Sequence, residues 1–220
     1  MGKVILSRNE KMLKLQQKLQ NKKKNAGSLI MHISIKKLTP TNSNDFLHYF
    51  DYDAFSDHEE WAGCYCLESH LSKEENDALW GKKNKRRKKA KKLIQEGVMT
   101  GYLIYNGSDV IGWCNAGDKA NYYPISNNDD FHTNNAEKNK IKIIYCIDIA
   151  PAHRGKGLAN LIVEKVLADA KEEGYSYVEA YPFTDKNMAY QYKGPVRLYE
   201  KYGFEIYREL ECFYIMRKVL

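Results

Sequence analysis

The chain has 220 residues, of which 43% are hydrophobic, and a formal net charge of +7 at pH 7. This length and composition allow one hydrophobic core and place the chain near the upper size of a single domain. No apolar run approaches the roughly 20 residues of a membrane-spanning helix, the N-terminus lacks the apolar stretch of a secretory signal, and five cysteines do not suggest a disulfide framework. We therefore expect a cytoplasmic protein without membrane spans.

The positive charge is concentrated at the N-terminus. Residues 1–30 contain eight Lys or Arg and a single acidic residue, Glu10, so this segment accounts for the whole net charge. Its capping-box pair, Ser7 and Glu10, precedes apolar residues at helical spacing, which allows a basic amphipathic helix. We favour a poorly ordered extension before a domain that covers residues 31–220.

The first elements of that domain follow from periodicity and turn residues. A strand is predicted over residues 31–38, a short helix over 44–52 and one long basic helix over 73–95. Residues 100–105 and 110–116 are predicted to form a hairpin, because Asn106 and Gly107 between them are the dipeptide most favoured in a tight turn.

The basic run at 82–92 has nine Lys or Arg in eleven residues. Such a run is ordinarily a solvated helical face, and its functional alternative is non-specific attraction of polyanions such as nucleic acid. Because no aromatic residues that could stack on bases are interleaved with it, nucleic acid is not expected as a partner.

The segment around Cys64 and Cys66 raises the question of a metal site, since His58 and His70 lie near it in sequence. A zinc site usually shows two ligand pairs, and no second pair exists here. We therefore expect no metal, and we expect the two cysteines to pack beside neighbouring aromatic residues.

The second half of the chain contains the most informative pattern. Residues 118–140 are polar and are predicted to be a loop that borders the site, a candidate lid. A strand over 141–149 ends at Pro151, and a helix over 157–173 follows a turn with Gly155 and Gly157. Such glycines and the N–H groups of a first helical turn form a natural site for pyrophosphate. Further strands are predicted over 177–181, 204–210 and 213–218.

Two ordered motifs carry a family resemblance. Arg154, Gly157 and Ala159 show RxxGxA spacing at the strand-to-helix junction, and VRLYEKYGF at 196–204 resembles the LYExxGF segment that follows it in the GNAT N-acetyltransferase superfamily. The resemblance extends from about residue 33 onward. It implies an α/β fold with a mixed, mostly antiparallel central sheet of six to seven strands flanked by helices. WAGCYC and IGWCN also resemble a less characterised bacterial branch, in which the cysteines would line the acceptor pocket.

The resemblance implies transfer of an acetyl group from acetyl-CoA to a primary amine by direct attack, with the acceptor unknown. The residues implied to bind the cofactor, through the β-strand backbone and the following turn, are Ile147, Ile149, Arg154, Gly155, Lys156, Gly157, Leu158, Ala159 and Asn160. In this chain Tyr192 and Pro195 replace an Asn and an Ala that many relatives carry, and the 184–194 link is longer than usual.

The resemblance also suggests the catalytic residues. Tyr199 occupies the motif position at which many relatives protonate the departing thiolate, and thiol and phenol pKa values of ~8.5 and ~10 suit such a transfer. Glu179 is the first candidate for the base that deprotonates the amine, and Asp148 is its competitor.

Two other functions stay open from the sequence. The chain could be an acyl-CoA-binding regulatory protein without turnover, or a basic protein associated with nucleic acid. A homodimer also stays open.

Overall fold

The structure is a computed structural model that describes residues 32–131, 140–185 and 191–220. The predictions for residues 1–30 and the domain boundary at residue 31 lie outside these ranges. So do the middle of the 118–140 segment and part of the 184–194 link.

The described strands form one seven-stranded sheet in the order β1-β2-β3-β4-β5-β7-β6. Their bounds are β1 Ile33–Lys37, β2 Gly101–Asn106, β3 Asp109–Asp118, β4 Ile141–Ile149, β5 Tyr177–Ala180, β6 Glu205–Glu209 and β7 Tyr214–Val219. Of the pairs between these strands, β4 with β5 is parallel and the others are antiparallel. The predicted mixed, mostly antiparallel sheet and the hairpin at Gly107 are confirmed.

Helices flank the sheet, and the three longest of them each bury several apolar side chains. Their bounds are α1 Ser43–Tyr52, α2 Lys73–Leu79, α3 Lys83–Gln95, α4 Tyr123–Ser126, α5 Leu158–Glu172 and α6 Val196–Glu200. Phe46, Leu47 and Phe50 of α1 are buried, as are Ile162 and Val166 of α5. Within the described ranges, no helix combines the length and the apolar character needed to cross a bilayer.

The prediction of one helix over 73–95 is wrong, because the chain turns between α2 and α3. Gly81 adopts φ +71°, a left-handed conformation that ends a helix at little steric cost.

One arginine of the basic run at 82–92 is buried. Arg86 is only 2% exposed and donates to the carbonyls of Gly63 at 2.7 Å and Cys64 at 2.9 Å, so it fixes the preceding loop.

The described part of the 118–140 segment is more ordered than the predicted loop. It contains α4 and two single-turn helices, Lys119–Asn121 and Asp129–Phe131. The Asp118 side chain accepts from the Ala120 N–H at 3.0 Å, a cap that starts the first of these turns. These turns are shorter than the period that sequence patterns can detect, which explains the difference.

The sheet opens at one point, between β4 and β5. Their parallel pairing begins at Ile141 with Tyr177 and stops at Ile144 with Ala180, whereas β4 remains paired with β3 as far as Ile149. One edge of β4 is therefore free of a neighbouring strand in its second half, and the cavity described below lies along this edge.

Glu179 joins three elements in the core. Its carboxylate is fully buried and accepts from Lys119 Nζ at 2.8 Å, from Arg217 Nη2 at 2.5 Å and from the Tyr181 hydroxyl at 2.7 Å. Because Lys119 and Arg217 are themselves nearly buried, each cation depends on this carboxylate for its charge partner.

We expect Glu179→Ala to lower the free energy of unfolding by about 3–5 kcal/mol, since it leaves two buried cations without their carboxylate. Urea denaturation measures the loss. Asp77→Ala, which breaks an exposed pair with Lys73 on α2, is the control and is expected to lose less than about 1 kcal/mol. Equal losses in the two variants would contradict the structural role of Glu179.

Candidate active site

A cavity of about 600 Å³ follows the open edge of β4. Ile147, Asp148 and Ile149 of β4 form its floor, and Arg154 and Ala159 line it at the start of α5. The remaining wall comes from residues 50–86 and from the 191–198 segment. The cavity therefore joins the glycine turn to the unpaired half of β4.

The turn before α5 has the backbone shape that the sequence predicts. Gly155 and Gly157 adopt φ +75° and +80°, and Gly157 is the N-cap of the helix. A Cβ at either glycine would meet no atom within 4 Å, so the need for glycine is conformational. The N–H groups that open α5 and the positive end of its dipole favour an anion at this turn.

Arg154 connects this turn to the opposite wall. Its Nε donates to the Ile149 carbonyl at 2.9 Å, and its Nη1 donates to Asp57 at 2.5 Å. The hydrogen bond from Arg154 lowers the pKa of the Asp57 carboxyl. A phosphate could therefore form an ion pair with Arg154 only in competition with the carboxylate of Asp57.

Asp148 is the carboxylate that lines the cavity on β4. It is 9% exposed and accepts from the Tyr49 hydroxyl at 2.8 Å. Burial raises the pKa of Asp148 from 3.8 to about 7, and the Tyr49 hydrogen bond and the Arg154 charge only partly oppose this rise. A carboxyl that changes protonation near neutral pH suits general base catalysis.

Three cysteines meet at the same cavity: Cys64, Cys66 and Cys146. The Cys146 thiol donates to the Cys66 sulfur, which lowers the pKa of Cys66 and raises that of Cys146. Tyr65 and Cys66 both have positive φ, +44° and +50°, which is uncommon for residues other than glycine and indicates local strain at the cavity wall. In the described part of the chain, no group of three or more His, Cys, Asp or Glu could hold a metal ion.

A match to the model of one protein family shows which family the chain belongs to. The model of the Acetyltransferase (GNAT) family matches residues 65–204, which is more than half of the chain. The chain belongs to the GNAT acetyltransferase family. No curated protein matches it.

Solved structures with this GNAT fold include three that cover most of both chains. They are a GNAT-family acetyltransferase from Listeria monocytogenes 4b F2365 (TM-score 0.54, 15% identity, 86% of this chain and 95% of that one), the GNAT domain of S. lividans PAT (TM-score 0.52, 13% identity, 84% and 89%) and the PaiA N-acetyltransferase from Thermoplasma acidophilum in complex with coenzyme A (TM-score 0.51, 14% identity, 86% and 100%). At these identities the similarity establishes the fold.

In this GNAT chain, the residues predicted to bind the cofactor lie together. Ile147, Ile149, Arg154 and Ala159 line the cavity, and the others belong to the same turn and the first turn of α5. The Ile147 N–H, which faces the open edge of β4, donates to the Tyr192 carbonyl at 2.7 Å. The 192 segment thus lies where a backbone-pairing ligand would lie.

The two residues predicted to be catalytic are not on this cavity. Glu179 is enclosed by its cations, and Tyr199 is fully buried with its hydroxyl donating to the Lys193 carbonyl at 2.6 Å. Their catalytic roles remain predictions that this arrangement does not support. Asp148, named second from the sequence, does line the cavity, as does the carboxylate of Glu68. The described residues 118–131, expected to border the site, do not line it.

The raised pKa of Asp148 predicts a specific pH dependence of stability. Because the folded state holds this proton more tightly, Asp148 makes stability fall as pH rises from about 4 to about 7. We expect Asp148→Asn to raise the free energy of unfolding at about pH 8 by roughly 2–4 kcal/mol and to change it little near pH 4. Denaturation curves at both pH values check this, with the exposed Asp109→Asn as control. A variant less stable than the parent at pH 8 would contradict the prediction.

Proposed function

We propose that the protein transfers an acetyl group from acetyl-CoA to a primary amine by direct attack of the amine on the thioester. The observation that carries this proposal is the cavity itself, which joins an anion-binding glycine turn, an unpaired strand edge and the buried carboxyl of Asp148. The complex of coenzyme A with the Thermoplasma protein, which shares the fold, supports the choice of cofactor.

The cofactor would use both ends of this arrangement. Its pyrophosphate would accept from the N–H groups around Gly155 and Gly157, next to Arg154 and Lys156. Its pantetheine would pair with the β4 backbone at Ile147 and Ile149, as an added strand does. Both sets of contacts are mainly to the main chain, and they agree with the main-chain geometry of the turn and of β4.

Asp148 is the base in this proposal. An amine enters as its ammonium form, and the ionised carboxylate of Asp148 takes the proton, so that a neutral nitrogen attacks the thioester carbon. The C–S bond then breaks, the coenzyme A thiolate takes a proton from an acid, and the acetylated nitrogen gives up its second proton, which restores that acid. A carboxyl whose pKa is about 7 can accept the first proton at neutral pH.

Binding of acetyl-CoA would also free the hydroxyl of Tyr199, which is the acid in this proposal. Tyr192 holds the Ile147 N–H through its carbonyl, and Lys193 holds the Tyr199 hydroxyl through its carbonyl at 2.6 Å. These two carbonyls belong to neighbouring residues. When pantetheine replaces the Tyr192 carbonyl on β4, movement of the segment would free Tyr199 to protonate the thiolate.

Titration calorimetry with acetyl-CoA tests the cofactor site. We expect saturable binding by the wild-type chain and binding at least about tenfold weaker for Gly157→Glu, because a carboxylate would face the pyrophosphate. Gly174→Glu is the matched control. Gly174 follows the C-terminal end of α5, has φ +73°, and a Cβ there would also meet no atom within 4 Å. This variant is expected to bind normally. A wild-type chain that does not bind at millimolar ligand would overturn the proposed function.

Hydrogen exchange tests the movement of the 192–194 segment. The Gly194 N–H donates to the Gln191 carbonyl at 2.8 Å, and its exchange should become faster with acetyl-CoA bound if the segment moves.

The pH dependence of turnover tests the base. We expect kcat/KM to rise with pH and level off above an apparent pKa of about 7, because only ionised Asp148 accepts the proton. Asp148→Asn should lower kcat by roughly 10²–10⁴-fold and remove that limb. Glu179→Gln, which keeps hydrogen-bonding atoms in its buried position, is the comparison and should keep its pH profile. If Glu179→Gln lost the pH-dependent limb and Asp148→Asn kept it, the base would be Glu179.

A further inference from the structure

Two large aromatic side chains are exposed at the cavity. Eight large hydrophobic side chains are exposed in the described part of the chain, and Trp80 and Tyr192 are the two of them that line the cavity, with exposed fractions of 59% and 40%. Exposure of such rings is unfavourable in water, and concave sites lined by aromatic residues are typical of small-molecule binding.

The Trp80 ring is held in place by Arg86, and the Tyr192 ring packs on another aromatic ring. The Arg86 guanidinium lies 5.2 Å from the Trp80 ring centroid, and its N–H groups are committed to the Gly63 and Cys64 carbonyls and to Asn76. The Tyr192 ring packs edge-on against Phe183 at 5.3 Å. A ring that is already ordered loses little conformational entropy when a ligand stacks on it.

A further aromatic wall lies between residues 50 and 61. Phe55 packs edge-on against both Phe50 and Trp61, with ring centroids 5.9 Å apart in each case, and all three rings line the cavity. Six Phe, Trp or Tyr side chains therefore line the cavity, whereas Ser69 and Gln191 are the aliphatic hydroxyl and amide side chains that its lining offers to a sugar-like acceptor.

The charged lining favours a cation. The exposed carboxylate of Glu68 lines the cavity, and its charge raises the pKa of Tyr145 and Tyr192 as a secondary cause after burial. Asp148 is the second carboxylate. The lining cations Arg86 and Arg154 are already engaged with carbonyls or with Asp57, and the buried Lys193 beside the cavity lies over the Tyr145 ring, with its Nζ 3.7 Å from the ring centroid.

We propose that the acceptor is a primary amine joined by a short aliphatic chain to an aromatic ring. This ring stacks on Trp80, and the ammonium group is drawn to Glu68 and Asp148. This inference rests on the proposed function and specifies its acceptor. The reaction forms one N–C bond and breaks the thioester C–S bond. Of the two protons that the ammonium nitrogen loses, one goes to Asp148 and the other is balanced by the proton that the coenzyme A thiolate gains.

A comparison of amines tests the acceptor class. With acetyl-CoA and thiol release as the readout, we expect kcat/KM for 2-phenylethylamine and tryptamine to exceed that for n-butylamine and spermidine by roughly 10–100-fold, the effect of burying one aromatic ring. An aliphatic amine that is used as well as 2-phenylethylamine would overturn the inference.

Variants locate the aromatic contact. Trp80→Ala should lower kcat/KM for 2-phenylethylamine by roughly tenfold and by a clearly larger factor than kcat/KM for n-butylamine, and Trp80→Phe should restore most of the loss. Tyr52→Ala, which removes an aromatic ring that is 70% exposed and does not line the cavity, is the matched control. Equal loss with both amines in Trp80→Ala would overturn the stacking role.

The same experiments separate this inference from the proposed function. Acetyl-CoA binding without acetylation of either aromatic amine overturns the acceptor assignment alone. Absence of acetyl-CoA binding overturns the proposed function, and the acceptor assignment with it.

Discussion

The end of β4–β5 pairing at Ile144 and Ala180 is the constraint on which the site depends. Beyond it, β4 continues with backbone groups that face no strand, and buried backbone donors must find partners. At Ile147 the partner is the Tyr192 carbonyl, which belongs to a connecting segment and not to a ladder. A single loop carbonyl can be exchanged for a ligand carbonyl at little net change in hydrogen bonding, whereas a paired strand could not be displaced in this way.

The parts of the fold that were predicted correctly are those whose signals are local. The hairpin needed only the turn at Gly107, and the β4-turn-α5 unit needed only Pro151 and the two glycines that follow it. The break at Gly81 was equally local and was missed, because the basic residues on both sides continue a helical pattern and Gly is tolerated inside helices. The single-turn helices after Asp118 are too short to produce a period at all.

The side-chain chemistry of the site was less predictable, for a geometric reason. Glu179 and Asp148 both lie on strands and both are buried, so alternation alone does not say which one faces a ligand. The difference comes from partners that are distant in sequence. Lys119 lies 60 residues before Glu179, whereas the Tyr49 hydroxyl that contacts Asp148 lies 99 residues away. No local sequence pattern extends over either of these separations along the chain.

These two carboxyl groups also show how differently one core can treat two buried acids. Glu179 meets two cations and a hydroxyl, so its charge is balanced inside the sheet and it holds β5, β7 and the Lys119 turn together. Asp148 has the Tyr49 hydroxyl and no cation within hydrogen-bonding distance among the described residues, so burial dominates and raises its pKa. A base that is ionised at little cost would hold a proton too weakly to be useful at neutral pH. In the proposed reaction, the unfavourable burial of Asp148 is therefore the physical origin of its basicity, and the Glu179 cluster stabilises the sheet that makes this burial tolerable.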